Sequence, residues 1–394
     1  MCQATPLGIE DARWQNPFAD AVIDAIREQG VPRVNDFAAA NSEGAGYWQL
    51  TSWNGRRSST SEAYLKPNRR RPNLHIETDA FVTRVNLEGK AASGVTYEKH
   101  GHVHTVRAGR EVILSAGALQ TPQLLQVSGI GPKALLKQHG IAVVHDLPGV
   151  GENLMDHIQV GRVYTTNSPY TFNRQVNSIP GMVKAGLQYY LGGRRGPLTL
   201  GASLAGGYVK LLPGSQAPDI HFHFLPFRPG DKGWDLAKGS GFRFGFYPNR
   251  PDSRGHVRIK SADIRDPAAV TFNHLTAERD VQLVMEGMKF ATRVAQSSPL
   301  KPFDVREVAP GPRGDTDEGL LEFIRETADT AFHYSGTATI GTDPMAVVDP
   351  ELRVHGIGKL RVIDASVMPT VVSGNTNAAV LMIGEKGADL VKKG

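Results

Sequence analysis

GREVILSAGALQTPQLLQVSGIGP, residues 109–132, carries two local signals in one run. EVILSAGA reads as a short buried strand that ends in small residues. TPQLLQVSG then reads as a helix, with Thr121 as its cap and Pro122 at its first position, where a missing N–H costs nothing. PKALLKQHG follows as a second short helix that stops on Gly140.

Working outward, NLHIETDAFVTRVNLEGKAASGVTYEKHGHVHTVR, from residue 73, alternates apolar and polar residues between glycines, which predicts three or four strands joined by tight turns. PFADAVIDAIREQGV (17–31) has helical spacing and ends at a glycine, and 42–66 looks like loops and short elements. From about 155 to 325 the pattern is that of a separate unit. It holds a helix (IPGMVKAGLQYYLGG), aromatic strand-like runs (DIHFHFLPF and GFRFGFYP), a further strand (GHVRIKS) and two amphipathic stretches at 277–297 and 317–328. Strands followed by helices predict an antiparallel sheet with helices on one face. The chain closes on a short β run, LRVIDAS, and a helix, AAVLMIGEKGADLVKK, whose lysines suit a C-terminus.

A length of 394 residues suits two domains, and 40% hydrophobic with 21% charged residues is an ordinary globular composition. The net charge of +5 is modest, and only Arg69, Arg70 and Arg71 run together, just before Pro72. That is a solvated turn and not a nucleic-acid stripe. Cys2, the only cysteine, excludes an internal disulfide framework and a cysteine-built zinc site, and is compatible with a reducing cytoplasm. No stretch approaches the roughly 18 apolar residues of a membrane span. The first twenty residues show no signal-peptide pattern, so a cytoplasmic protein is expected.

No P-loop, HExxH or GxSxG occurs. GVGENL (149–154) superficially resembles a dinucleotide loop, but follows an Asp-Leu-Pro turn and lacks the third glycine. What remains is His333 in FHYSGT, three residues before a Gly-Thr pair, and two amides, Asn375 and Asn377, in SGNTN. Residue chemistry alone leaves His333 open between a histidine of an ordinary turn and a base. A hydrolase built on Ser335 and His333 is disfavoured, since residues two apart in one turn make poor nucleophile–base geometry.

Resemblance supplies the rest. GREVILSAGALQTPQLLQVSGIGP is similar to the second signature of the glucose-methanol-choline oxidoreductases, and GIAVVHDLPGVGENLMDHIQV continues the match to 160. NGRRSSTSEAYLKPNRRRPNLHIETDAFVTRV, PDSRGHVRIKSADIRDP and the section from His333 to Lys386 resemble the same family, closest to its choline-dehydrogenase-like alcohol dehydrogenases. The resemblance implies an α/β (α+β) flavoprotein, with a partial Rossmann-like FAD domain at 73–154 and 345–394. It implies a substrate domain with an antiparallel sheet and helices at 155–344, and a segment at 1–72 bridging the two. In that family an alcohol gives its hydroxyl proton to a histidine and its α-hydride to the flavin. His333 matches the histidine, and Asn375 matches the His-or-Asn position that holds the same oxygen. Two groups sharing one oxygen would stand about 4–6 Å apart.

The resemblance also implies nucleotide contacts from Val82, from the turn Ser115, Ala116 and Gly117, from Asp364 and Ala365, and from Asn375, Thr376 and Asn377. The substrate is a small-molecule alcohol, and the electron acceptor is left open. A quaternary ammonium would want an aromatic cage. Phe222, Phe224, Phe227 and Trp234 could supply rings, but they alternate as core strand residues do, which favours a neutral alcohol. The family's GxGxxG is missing from this sequence, whose match begins well inside the family's. Three alternatives follow: a truncated, inactive fragment of such an enzyme, a piece of a split enzyme completed by an N-terminal fragment, or a cofactor-free interaction module.

Overall fold

A computed structural model describes residues 7–38, 42–230 and 235–394. It divides into two units. One comprises the described residues of Met1–His75, Gln159–Pro248 and Gln282–Asp329; the other comprises Ile76–Ile158, Asn249–Val281 and Thr330–Gly394. Residues 249–281 and 330–344, read from sequence as part of a 155–344 domain, thus fall in the second unit, His333 with them, and the described part of 1–72 falls in the first.

The first unit is built on an antiparallel sheet. Six of its strands lie in the order Arg306–Ala309, Ile158–Thr165, Gly241–Pro248, Ile220–Leu225, Ala205–Val209 and Gly44–Tyr47. Register puts Phe222 opposite Phe246 and Phe224 opposite Phe244, so these rings share one face with Phe242. All five are fully buried. The helix Pro17–Glu28 covers that face, its Phe18 ring lying edge-on 5.5 Å from Phe224 and 5.3 Å from Phe242. Asn16 caps it by accepting from the Ala19 N–H, Pro17 fills the first position, and Gly30 follows at φ +89°. Each buried ring contributes roughly 1.5–3 kcal/mol by leaving water. Phe222 and Phe224 are therefore core, Phe227 is partly buried, and Trp234 lies outside the described residues.

In the second unit, three antiparallel strands, Phe81–Glu88, Ala91–Lys99 and His102–Arg107, form one sheet. Two tight turns join them, with Gly89 at φ +59°, and His100 and Gly101 at φ +51° and +79°. The strand Val112–Leu114 pairs in parallel with Leu360–Val362, nearly 250 residues later. Leu114, Leu125, Val347 and Val362 belong to one buried core, so the segments around 112 and 360 fold together.

The helix after the first of these strands runs Gly117–Val127, which corrects the sequence reading. Thr121 does not cap it: it lies inside, with its hydroxyl donating to Asp364 at 2.7 Å. Pro122 is internal too. A proline there withdraws the N–H that the Ala118 carbonyl would have used. Thr337 compensates, its hydroxyl donating to that carbonyl at 2.6 Å.

Candidate active site

His333 sits on a loop stitched to the segment before Ile158. Met155 and Ser335 exchange two backbone hydrogen bonds of 3.0 Å, and the Ala331 N–H donates to the His157 carbonyl at 2.9 Å. Between these rungs the Asp156 carboxylate accepts from the His333 backbone N–H at 2.9 Å and from the Thr330 hydroxyl at 2.5 Å. Gly336, at φ +90°, has room for no side chain, because a Cβ would stand 2.4 Å from the Asn153 carbonyl oxygen. The glycine of FHYSGT is thus structural, and it lets the loop close on 153–157. GVGENL leads into the same segment, and its glycines serve close packing. A Cβ on Gly149 would stand 1.9 Å from the Met345 carbonyl, and one on Gly151 2.2 Å from that of Val257.

The pairing brings two buried histidines edge to edge. His333 Nδ1 lies 2.8 Å from His157 Nδ1, and His157 Nε2 lies 3.0 Å from the Asn249 carbonyl oxygen. On the other edge, Asn375 Nδ2 lies 3.2 Å from His333 Nε2. That is nearer than two groups merely sharing one oxygen, because the amide donates directly to the imidazole. Asn375 follows Gly374 (φ +84°) and is itself exposed. Sequence reading found His333 and Asn375 and missed Asp156, His157 and Asn249. The signal available was the Asp-His pair in LMDHIQV, polar residues entering an otherwise apolar strand.

Only 8% of His333 is exposed, and burial lowers its pKa from the ordinary 6.5 to about 4. The imidazole is therefore neutral at pH 7. Between those two values the unfolded chain holds a proton that the folded chain refuses, so this residue's contribution falls as pH falls through the window. Acidification from about pH 6.5 to about pH 4 should remove roughly 3 kcal/mol of stability through His333. Denaturant unfolding of the wild type and His333→Asn across this range checks it. The variant should gain on the wild type by that amount, and parallel curves would contradict it.

The nucleotide candidates gather on Asp364. Its carboxylate, 5% exposed, accepts from the Gly117 N–H at 2.9 Å, the Thr121 hydroxyl at 2.7 Å, and the Ser366 N–H and hydroxyl at 2.8 and 2.5 Å. The Ser115 hydroxyl donates to the Ile363 carbonyl at 2.9 Å. The Ala365 carbonyl accepts from the Gly336 N–H at 3.2 Å, which ties this turn to the His333 loop. These residues fit a dinucleotide. Both parallel strands run out at the same end into small residues, the arrangement at which α/β folds bind ligands. Ser115 and Ala116 are exposed, and Gly117, at φ +82°, has open space where a Cβ would stand. Thr376 and Asn377 open the helix Asn377–Lys393 without a side-chain cap, leaving N–H donors for an anion. Val82 stands apart, half-buried on the strand Phe81–Glu88 and packed against the core.

Family profiles described as GMC oxidoreductase match residues 2–159 and 251–384. The chain is 39% identical over 389 residues to an alcohol dehydrogenase [acceptor] of Pseudomonas putida, covering 98% of itself and 70% of that protein. It is 41% identical to an oxygen-dependent choline dehydrogenase of the same species, covering 96% of itself and 67% of that protein. Among solved structures, pyridoxine 4-oxidase from Mesorbium loti aligns with a TM-score of 0.86 at 29% identity, over 99% of this chain and 72% of that one. A formate oxidase from Aspergillus oryzae, studied for FAD modification, aligns with a TM-score of 0.90 at 27% identity, over 98% and 72%. No described helix is long and apolar enough to cross a membrane. With both profiles matched and such relatives along nearly its whole length, the chain belongs to the glucose-methanol-choline oxidoreductases.

Proposed function

We propose that the chain carries the alcohol-oxidising site of an FAD-dependent oxidoreductase, with His333 as the base and Asn375 as the amide that holds the reacting oxygen. The observation that carries this is a buried, neutral imidazole whose Nε2 meets an amide donor at 3.2 Å. An alcohol hydroxyl that displaces this direct bond donates to Nε2 and accepts from Asn375 Nδ2. As the proton moves to His333, negative charge grows on the oxygen, and the fixed amide together with the new imidazolium stabilises it. When bound, FAD supplies the acceptor for the hydride that leaves the α-carbon. Ser115, Ala116, Gly117, Ala365, Thr376 and Asn377 would hold the nucleotide, and Asp364 would fix the first three beside Ala365.

The substrate in this reading is a neutral primary or secondary alcohol, since the rings of Phe222 and Phe224 are spent on the core. A single cysteine, Cys2, is compatible with a reducing compartment such as the cytoplasm. The test is a flavin titration, with and without a separately expressed N-terminal family segment, followed by anaerobic mixing with neutral alcohols and choline. Bleaching of the flavin by alcohols supports the reading, and failure to bind flavin under either condition sinks it. In the loaded protein Asn375→Ala should slow bleaching about tenfold, the equivalent of one hydrogen bond of about 1.4 kcal/mol. An unchanged rate would remove Asn375 from the site.

A further inference from the structure

We infer that His157 is a positioning residue that fixes the tautomer of His333, through a one-way chain of hydrogen bonds anchored on the backbone carbonyl of Asn249. The consequence for catalysis rests on His333 being the base; the lock itself does not.

The direction follows from the anchor. A carbonyl oxygen only accepts, so His157 Nε2, 3.0 Å away, carries a hydrogen. A neutral imidazole with hydrogen on Nε2 presents a lone pair at Nδ1. His333 Nδ1 lies 2.8 Å from that lone pair and must supply the hydrogen between them. His333 Nε2 is then the unprotonated nitrogen, and it is the atom that Asn375 Nδ2 approaches at 3.2 Å. Every bond is donated in the same sense, from Asn375 to His333 to His157 to the chain. The opposite polarity would leave the Asn249 carbonyl oxygen facing an unprotonated His157 Nε2, two acceptors against each other.

The arrangement is held firmly. His157 and Asn249 are fully buried, and the two imidazole planes cross at 87° with centroids 5.0 Å apart. Backbone pairing of 155–157 with 331–335 fixes both rings, and Asp156 holds the His333 N–H. Asp156, whose carboxylate lies 3.6 Å from His274 Nε2, is a titratable neighbour of this pair. The tautomer of an imidazole is set by what its other nitrogen bonds. Here that second bond aims the lone pair of Nε2 at the reacting hydroxyl. When Nε2 takes the proton, the Nδ1–H bond to His157 becomes charge-assisted and strengthens.

Two-bond proton–nitrogen correlation spectra of the chain labelled with ¹⁵N-histidine read the tautomer directly and need no flavin. His333, assigned by its loss in His333→Asn, should show a protonated Nδ1 and an unprotonated Nε2 at pH 7. His157→Asn places an amide oxygen near the former Nδ1 and should preserve that pattern. His157→Phe keeps a ring but offers no acceptor, and should shift His333 toward hydrogen on Nε2. In the flavin-loaded protein His157→Phe should slow flavin reduction by about 10–100-fold, the usual cost of losing an orienting partner, with KM little changed and His157→Asn largely rescued. Hydrogen on Nε2 in the wild type, or an unmoved tautomer in His157→Phe, would overturn the lock. Should His157→Phe not fold, the wild-type spectrum decides alone. A locked tautomer with flavin reduction untouched by His333→Ala would leave the lock standing and remove the base.

Discussion

Replacing His333 by alanine in the FAD-loaded protein is expected to slow flavin reduction by roughly 10²–10⁴-fold, the usual share of a general base. The size follows from what remains. Asn375, the other polar group at Nε2, carries an amide that can steady an oxygen but accepts no proton at neutral pH. The imidazole it faces is neutral at pH 7, because burial lowers its pKa to about 4, so it is ready to accept in nearly every molecule. A pKa that low would also make it a weak acceptor. The charge-assisted bond to His157 and the alkoxide beside the new imidazolium both offset this in the reacting complex. Alanine removes base, orientation and cation together. Stability distinguishes that loss from unfolding, since removing a buried neutral imidazole should make the protein more tolerant of acid. Stopped-flow anaerobic reduction of wild type and variant measures the effect, and a loss of less than tenfold would take the proton away from His333.

The two residues at the centre of this site were legible through the family resemblance of the short motifs that hold them, since residue chemistry alone leaves His333 open. FHYSGT and SGNTN each carry a glycine at a backbone position that only glycine suits, Gly336 at φ +90° and Gly374 at φ +84°. Phe222 and Phe224 of the strand Ile220–Leu225 were legible as core because they alternate, and both are fully buried. What was illegible depends on partners far away in sequence. Thr121 has the look of a cap, yet the helix begins four residues earlier because Asp364, 247 positions on, takes the Gly117 N–H. Asp156 and His157 show in the sequence only as a polar pair at the start of an apolar strand, which says nothing of what they touch. Their roles exist only once 155–157 pairs with 331–335, a contact that no periodicity encodes.

Asp364 should carry the largest stability effect outside the hydrophobic core. Its two carboxylate oxygens receive four hydrogen bonds, one each from the Gly117 N–H and the Thr121 hydroxyl and two from Ser366. These donors come from the ends of both parallel strands, so the carboxylate joins segments that the chain keeps about 250 residues apart. Alanine would leave all four donors without that acceptor, in a place only 5% exposed at the carboxylate and closed to water at Thr121 and Ser366. An orphaned buried donor costs about 1–3 kcal/mol, and local relaxation recovers part of the sum. Asp364→Ala should therefore cost roughly 3–5 kcal/mol, the range of a broken buried network. Thr121→Val removes one donor and leaves the other three bonds, and should cost only about 1 kcal/mol. Asparagine keeps one accepting oxygen but turns an NH₂ toward the remaining donors, so Asp364→Asn should fall between the two. Urea midpoints at constant m-value rank the three variants. Because the same carboxylate holds Gly117 beside Ala365, Asp364→Ala should also weaken FAD binding where Thr121→Val does not. A cost below about 1 kcal/mol at Asp364 would mean that core packing alone holds the two strand ends in place, with no help from the carboxylate.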